Sequence, residues 1–193
     1  MRLVFATHNQ HKVAELAALL PSGIELISLD EAGITDEIAE DGATLEDNAL
    51  IKARYVHKRL GLPCFADDTG LEVEALGGDP GVRSARYAGE PVSHERNIDK
   101  LLSHMQGVTN RQARFRTVIA LICRGQEYLF EGIVEGTITT ARQGSEGFGY
   151  DPVFLPNGFN RTFAQMSLEQ KNSISHRGRA VDKLIAFLKN INC

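Results

Sequence analysis

A chain of 193 residues with 42% hydrophobic content is near the size of one domain and can fill a core without disulfide or metal staples. Its formal net charge of -4 leaves no sequence-wide basic field, which excludes nucleic acid and an anionic membrane surface as expected partners. The cysteines Cys64, Cys123 and Cys193 stand far apart without a C-x-x-C spacing, and read as buried or idle thiols rather than as a zinc or redox centre.

Arg2 to Ala6 reads as a buried strand, and this apolar run is too short for a signal-peptide core or a membrane span, so a cytoplasmic protein is expected. Thr7 to His11 reads as a polar loop, with Val13, Leu16, Ala17 and Leu20 following at helical spacing until Pro21 and Gly23 stop the helix. Ile24 to Leu29 reads as a strand, and an acidic loop then carries Asp36, Glu37, Glu40 and Asp41. Thr44 with Asp47 resembles a capping box, opening a helix through Leu45, Ala49, Lys52, Ala53, Val56 and Leu60 to Gly61. Pro63 to Ala66 reads as a short strand with Asp67 and Asp68 at its C-terminal end, and Gly70 to Gly89 as a long glycine-rich loop. A helix bearing Ile98, Leu101, Leu102 and Met105 follows. Ala113 to Cys123 and Glu127 to Thr139 are β-rich runs split by Arg124-Gly125-Gln126, the pattern of an antiparallel hairpin. Gly144 to Pro152 forms a second glycine-rich loop before a strand at Val153 to Leu155, and helices begin near Leu168 and His176. With no repeat or linker, the expectation is one domain over residues 1–193, α/β with a mixed β-sheet flanked by helices.

Four groups of residues carry chemistry. The run Thr7, His8, Asn9, Gln10, His11, Lys12 lies between a strand and a helix, where backbone N–H groups and the helix dipole suit phosphate, although an ordinary connection has the same form. Glu37, Glu40 and Asp41 with Asp67-Asp68 offer the carboxylate oxygens that hard Mg²⁺ takes together with phosphate, and a solvated acidic surface is the alternative. Adjacent strand residues face opposite ways, so Asp67 and Asp68 are expected to do different jobs. In Gly147-Phe148-Gly149-Tyr150-Asp151-Pro152 the glycines admit a ligand to the backbone and Phe148 offers a face to a base, against the alternative of a tight turn with a core Phe. Lys171 with Ser175-His176-Arg177-Gly178 crowds cations at a helix start against the dipole, as a site for an anionic ligand would, while solvent-exposed Lys and Arg is the bland reading. No Ser-His-Asp ordering or reactive cysteine context is present, which disfavours a protein nucleophile.

Taken in order, these blocks resemble the inosine triphosphate pyrophosphatase family, also called dITP/XTP pyrophosphatases. The resemblance rests on Thr7-x-Asn9-x-x-Lys12, Glu46-Asp47-Asn48-Ala49 with Lys52-Ala53-Arg54, Ala66-Asp67-Asp68-Thr69-Gly70-Leu71, Leu76-Gly77-Gly78 with Pro80-Gly81, Ser84-Ala85-Arg86-Tyr87, Phe148-Gly149-Tyr150-Asp151-Pro152 and Ser175-His176-Arg177-Gly178. It implies an elongated mixed sheet, two lobes with a central nucleotide cleft, and a homodimer. It also implies that Thr7 to Lys12 bind the triphosphate with support from Lys52, that Glu40 and Asp68 bind Mg²⁺, and that Asp68 is the general base activating water against the α-phosphorus. Thr69 would touch the substrate, and Phe148, Gly149, Tyr150, Asp151, Lys171, His176 and Arg177 would hold the base. His11 departs from a frequent Gly and Thr69 from a frequent Ser. Rival readings are a house-cleaning pyrophosphatase for other modified nucleotides and a nucleotide-binding module without catalysis.

Overall fold

Strand β1 (Arg2–Phe5) pairs in parallel with β2 (Glu25–Ser28) on one side and β3 (Cys64–Val73) on the other. These strands belong to a six-stranded sheet in a computed structural model that describes residues 2–191. The order β2-β1-β3 continues through β4 (Gln112–Cys123) and β5 (Gln126–Ile138) to β6 (Phe154–Pro156), which runs antiparallel to β5. Parallel and antiparallel pairs in one sheet make it mixed, as expected. Arg124 and Gly125 join β4 to β5 with φ of 52° and 72°, the left-handed pair that a two-residue hairpin requires.

Helix α1 (Gln10–Ala17) begins inside the stretch read as a loop, because the Asn9 side chain caps it by accepting from the His11 and Lys12 N–H groups. It also ends before Pro21. Helix α2 (Leu45–Leu60) has the expected capping box, Thr44 with Asp47, and closes on Gly61. The larger difference is β3, which does not end at Asp67 and Asp68 but runs ten residues through them to Val73. The supposed loop after Gly70 is in fact strand, then two 3-10 turns, Glu74–Leu76 and Gly81–Arg86, before α3 (His94–His104). Gly70 lies where a Cβ would come within 2.7 Å of the Gly81 carbonyl oxygen, so its glycine serves close packing of strand on turn. Helices α4 (Leu168–Ile174) and α5 (His176–Leu188) complete the fold.

The chain forms two compact units. The first comprises the chain up to Asp68, Thr117–Gly132 and the chain from Arg177. Alternation along β1 gives it two apolar clusters: Leu3 and Phe5 pack with Leu16, Phe65, Val181 and Leu184, while Val4 and Ala6 pack with Ala49, Ala53, Val56 and Ile122. The second comprises Thr69–Arg116 and Ile133–His176, around Leu71, Val73, Leu101, Phe115, Phe154 and Phe163. Cys64 is a buried free thiol; Cys123 is buried and disulfide-bonded, which corrects its reading as an idle thiol, and Cys193 lies outside the described residues. Among the described residues no helix is long and apolar enough to cross a membrane.

Candidate active site

Mid-strand in β3, Asp67 and Asp68 leave the backbone on opposite faces and meet different partners. Asp67 Oδ1 accepts from Lys12 Nζ at 2.9 Å and Oδ2 from Arg177 Nε at 3.2 Å, and Arg177 also pairs with Glu15. Lys12, Asp67, Arg177 and Glu15 thus alternate in charge, with the last three buried. Burial by itself pushes the Asp67 carboxyl up, but the charges of Lys12, Arg177 and Lys52 outweigh it and hold the group well below the usual carboxylate range. Burial likewise works against the charge on Arg177, and Asp67 and Glu15 overcome it.

Asp68 belongs to a second cluster. Its Oδ2 accepts from Asn48 Nδ2 at 3.2 Å, and its Oδ1 lies 3.4 Å from Lys52 Nζ. The same ammonium donates to Glu40 Oε1 at 2.5 Å and to the Asp67 carbonyl at 2.7 Å. Asn48 Oδ1 accepts from the Gly42 N–H at 2.8 Å, fastening the acidic loop to α2. Burial pushes the Asp68 carboxyl up; Lys52 and Lys12 pull it down, Glu40 pushes it up again, and the net result lies above the ordinary value. Burial, with the Glu40 charge added to it, thus outweighs the two ammoniums.

Glu40 and Asp68 therefore converge on a single cation, which here is the protein's own. Among the described residues no three His, Cys, Asp or Glu side chains gather into a cage for a metal. Magnesium needs no such cage, since it usually takes one or two carboxylates and completes its shell with water and phosphate oxygens. The Glu40 and Asp68 donor set fits that requirement.

In the loop before α1, Thr7 Oγ1 accepts from the Asn9 N–H at 3.1 Å, and Asn9 Oδ1 accepts from the N–H groups of His11 and Lys12 at 3.0 and 3.2 Å. Three backbone donors expected to face a phosphate are thus already taken by the loop's own side chains. His8 bridges Asp30 and the Asp36 carbonyl, Gln10 donates to Asp30, and His11 is exposed.

The second unit holds a compact group around Asp151. Its Oδ2 accepts from the Phe148 N–H at 2.9 Å and from Lys171 Nζ at 2.7 Å, and that ammonium lies 4.9 Å from the Phe148 ring centroid. Gly147, with φ of 74°, admits this arrangement, because a Cβ there would lie 2.1 Å from Asp151 Oδ2. Tyr150 turns inward and donates to the Ser84 carbonyl at 2.8 Å, and burial pushes its hydroxyl well above the ordinary range. The buried His176 ring stacks on Phe115 at 4.5 Å. Thr69, half-buried, directly follows Asp68 in the chain, and Gly149 is part of the loop between Phe148 and Tyr150.

The sequence profile of the Ham1 family matches residues 3–187. This chain belongs to the Ham1 family. It is 51% identical to a dITP/XTP pyrophosphatase of Flavobacterium psychrophilum over 98% of this chain and 100% of that one. With a protein of the same name from Porphyromonas gingivalis it shares 55% identity over 97% of each chain. Its structure is similar to that of a HAM1 protein from Coxiella burnetii, with a TM-score of 0.91, 38% identity and coverage of 99% of this chain and 100% of the other. The resemblance drawn from the motif blocks, and the α/β fold with it, is borne out.

In this Ham1 family chain the residues singled out from sequence fall into two sets. Thr7 to Lys12, Glu40, Lys52, Asp68 and Arg177 lie in the first unit; Thr69, Phe148 to Asp151, Lys171 and His176 lie in the second. The cations of Lys171 and Arg177 are neither solvent-exposed nor waiting for a ligand's charge: Asp151 in one case, Asp67 and Glu15 in the other, already balance them. Sequence reasoning missed Glu15 and the part played by Asn48. The only signal for Glu15 in the sequence was a carboxylate between Ala14 and Leu16, three residues after Lys12.

Proposed function

We propose that this chain is a nucleoside triphosphate pyrophosphatase that hydrolyses deaminated purine nucleotides, dITP, ITP and XTP, to the monophosphate and pyrophosphate, removing them from the nucleotide pool. The observation that carries this reading is 51% to 55% identity, over nearly the whole length of both chains, to proteins named for that activity. The convergence of Glu40 and Asp68 on one cation supports a phosphate-linked Mg²⁺ at those carboxylates. When bound, the ion supplies positive charge to the triphosphate oxygens.

Asp68, aimed by Asn48 through its second oxygen, accepts a proton from the water that attacks the α-phosphorus. Lys12 and Lys52 offset charge on the departing pyrophosphate. Thr7, His8, Asn9, Gln10 and His11 shape and contact the triphosphate, and Thr69 touches the substrate beside the base. Phe148 stacks on the purine, while Gly149, Tyr150, Asp151, Lys171, His176 and Arg177 complete base recognition. Hypoxanthine and xanthine present an acceptor at the 6-position where adenine presents a donor, so a pocket of donors leaves adenine with opposed donors. The same reading takes the protein as a homodimer, which the family resemblance supports, and places it in the cytoplasm.

The test is pyrophosphate release from dITP, XTP, dGTP, dATP and dUTP with Mg²⁺. Fast turnover of dITP and XTP is expected, with Asp68→Asn lowering kcat by roughly 10²–10⁴-fold. Phe148→Ala is expected to raise KM for dITP about tenfold, the loss of one stacked base. Release from no nucleotide, or faster turnover of dUTP than of dITP, sinks the assignment.

A further inference from the structure

The carboxylates that this reading gives to a divalent ion already enclose a cation. Lys52 Nζ has three N–H bonds, and three oxygens meet it: Glu40 Oε1 at 2.5 Å, the Asp67 carbonyl at 2.7 Å and Asp68 Oδ1 at 3.4 Å. Lys52 is 6% exposed, so these oxygens stand in for the ammonium's hydration shell. The backbone beneath it is fixed, since Ala49, Ala53 and Val56 of the same helix are fully buried. Only the four-carbon stem of the side chain is free to carry the charge elsewhere.

We propose that Lys52 is an internal counter-cation that holds the place of the divalent ion, and that the ion binds by displacing the Lys52 ammonium from Glu40 and Asp68. The inference rests on the reading of those two carboxylates as the metal ligands. Magnesium binds its oxygens at about 2.0–2.1 Å, and an ammonium already in contact with the same oxygens would sit against it as a like charge in a poorly solvated setting. The two cations exclude each other at the atoms they share. Without either, Glu40 and Asp68 would repel each other across a partly buried space, so the lysine keeps the metal-free site folded and closed.

Two measurements without nucleotide test this, so a failure to hydrolyse dITP is read separately. Mg²⁺ alone is titrated calorimetrically into the wild-type protein and into Lys52→Met, which is expected to bind about tenfold tighter once the competing charge is gone. In parallel, wild-type protein is reductively methylated with chelator or with saturating Mg²⁺, and each lysine is followed by peptide mass spectrometry. Lys52 should react far more slowly than the exposed Lys58 in chelator, and several-fold faster in Mg²⁺ while Lys58 is unchanged. If Lys52→Met does not fold, the methylation arm decides alone. Binding to neither protein overturns the metal reading and this inference with it. Equal or weaker binding by Lys52→Met, or a Lys52 that stays protected in Mg²⁺-saturated protein, overturns the exchange alone.

Discussion

At position 8 the imidazole stands between two acceptors. Nδ1 lies 2.9 Å from Asp30 Oδ1 and Nε2 lies 3.2 Å from the Asp36 carbonyl. A neutral ring has one N–H and satisfies one of them, whereas the imidazolium donates to both. Desolvation, the largest single influence, lowers the pKa, but the hydrogen bonds to Asp30 and Asp36 with the charges of Asp30 and Glu37 reverse it, leaving the value above 6.5. A group whose pKa is raised on folding stabilises fully below its unfolded pKa, and that contribution fades as pH rises through the folded value. Wild type should therefore melt higher than His8→Gln near pH 5.5 and match it near pH 8.5, by an amount in the range of about 0.2–1 kcal/mol usual for exposed pairs. A difference that does not change with pH, or a His8 ring titrating below 6.5 by NMR, rules the clamp out.

Helix α2 is where a local signal carries the site. Its capping box, Thr44 Oγ1 accepting from the Asp47 N–H and Asp47 Oδ2 from the Thr44 N–H, fixes the first turn. Asn48 and Lys52 follow one turn and two turns further on. Replacing a capping Thr by Ala costs about 1 kcal/mol, so Thr44→Ala should lower Tm by roughly 2–4 °C in a protein of this size. Thr44→Ser should restore it, and a scanning-calorimetry trace unchanged by Thr44→Ala refutes the argument. This helix was legible because each of its limits is set within four residues of sequence. Strand β3 was not, because Asp67, Asp68, Thr69 and Gly70 have the composition of a loop. As part of a strand between β1 and β4, they are satisfied by Lys12, Arg177, Lys52 and Asn48, up to 110 residues away. A separation of 162 residues hid Glu15, whose partner is on α5, whereas the carboxylates and the Phe148 loop could be picked out as candidates from composition and order, with their roles supplied by the family resemblance.

For the molecule as a whole, sequence order and packing order diverge. The first unit takes in three separated stretches of chain, so its apolar clusters cannot close on any one of them. The cluster holding Val4, Ala49, Val56 and Cys64 also needs Val118, Ala120 and Ile122 from β4. The cluster holding Leu3, Phe5 and Phe65 needs Ala180, Val181, Leu184 and Leu188 from α5. A fragment ending at Asp68 would keep β1, α1, β2, α2 and the first half of β3, yet expose both faces of its strands. Each large aliphatic side chain left unburied forfeits about 1.5–3 kcal/mol, and native domains have only about 5–15 kcal/mol in hand. Asp67 would in addition lose Arg177, one of the cations that keep it ionised. Such a fragment should show a disordered far-UV circular dichroism spectrum and no cooperative melt, although it contains most of the residues proposed for the phosphate side of the site. A cooperative thermal transition in the isolated fragment would mean that α1 and α2 stabilise the parallel strands without β4 and α5, and that the two clusters are less interdependent than their packing requires.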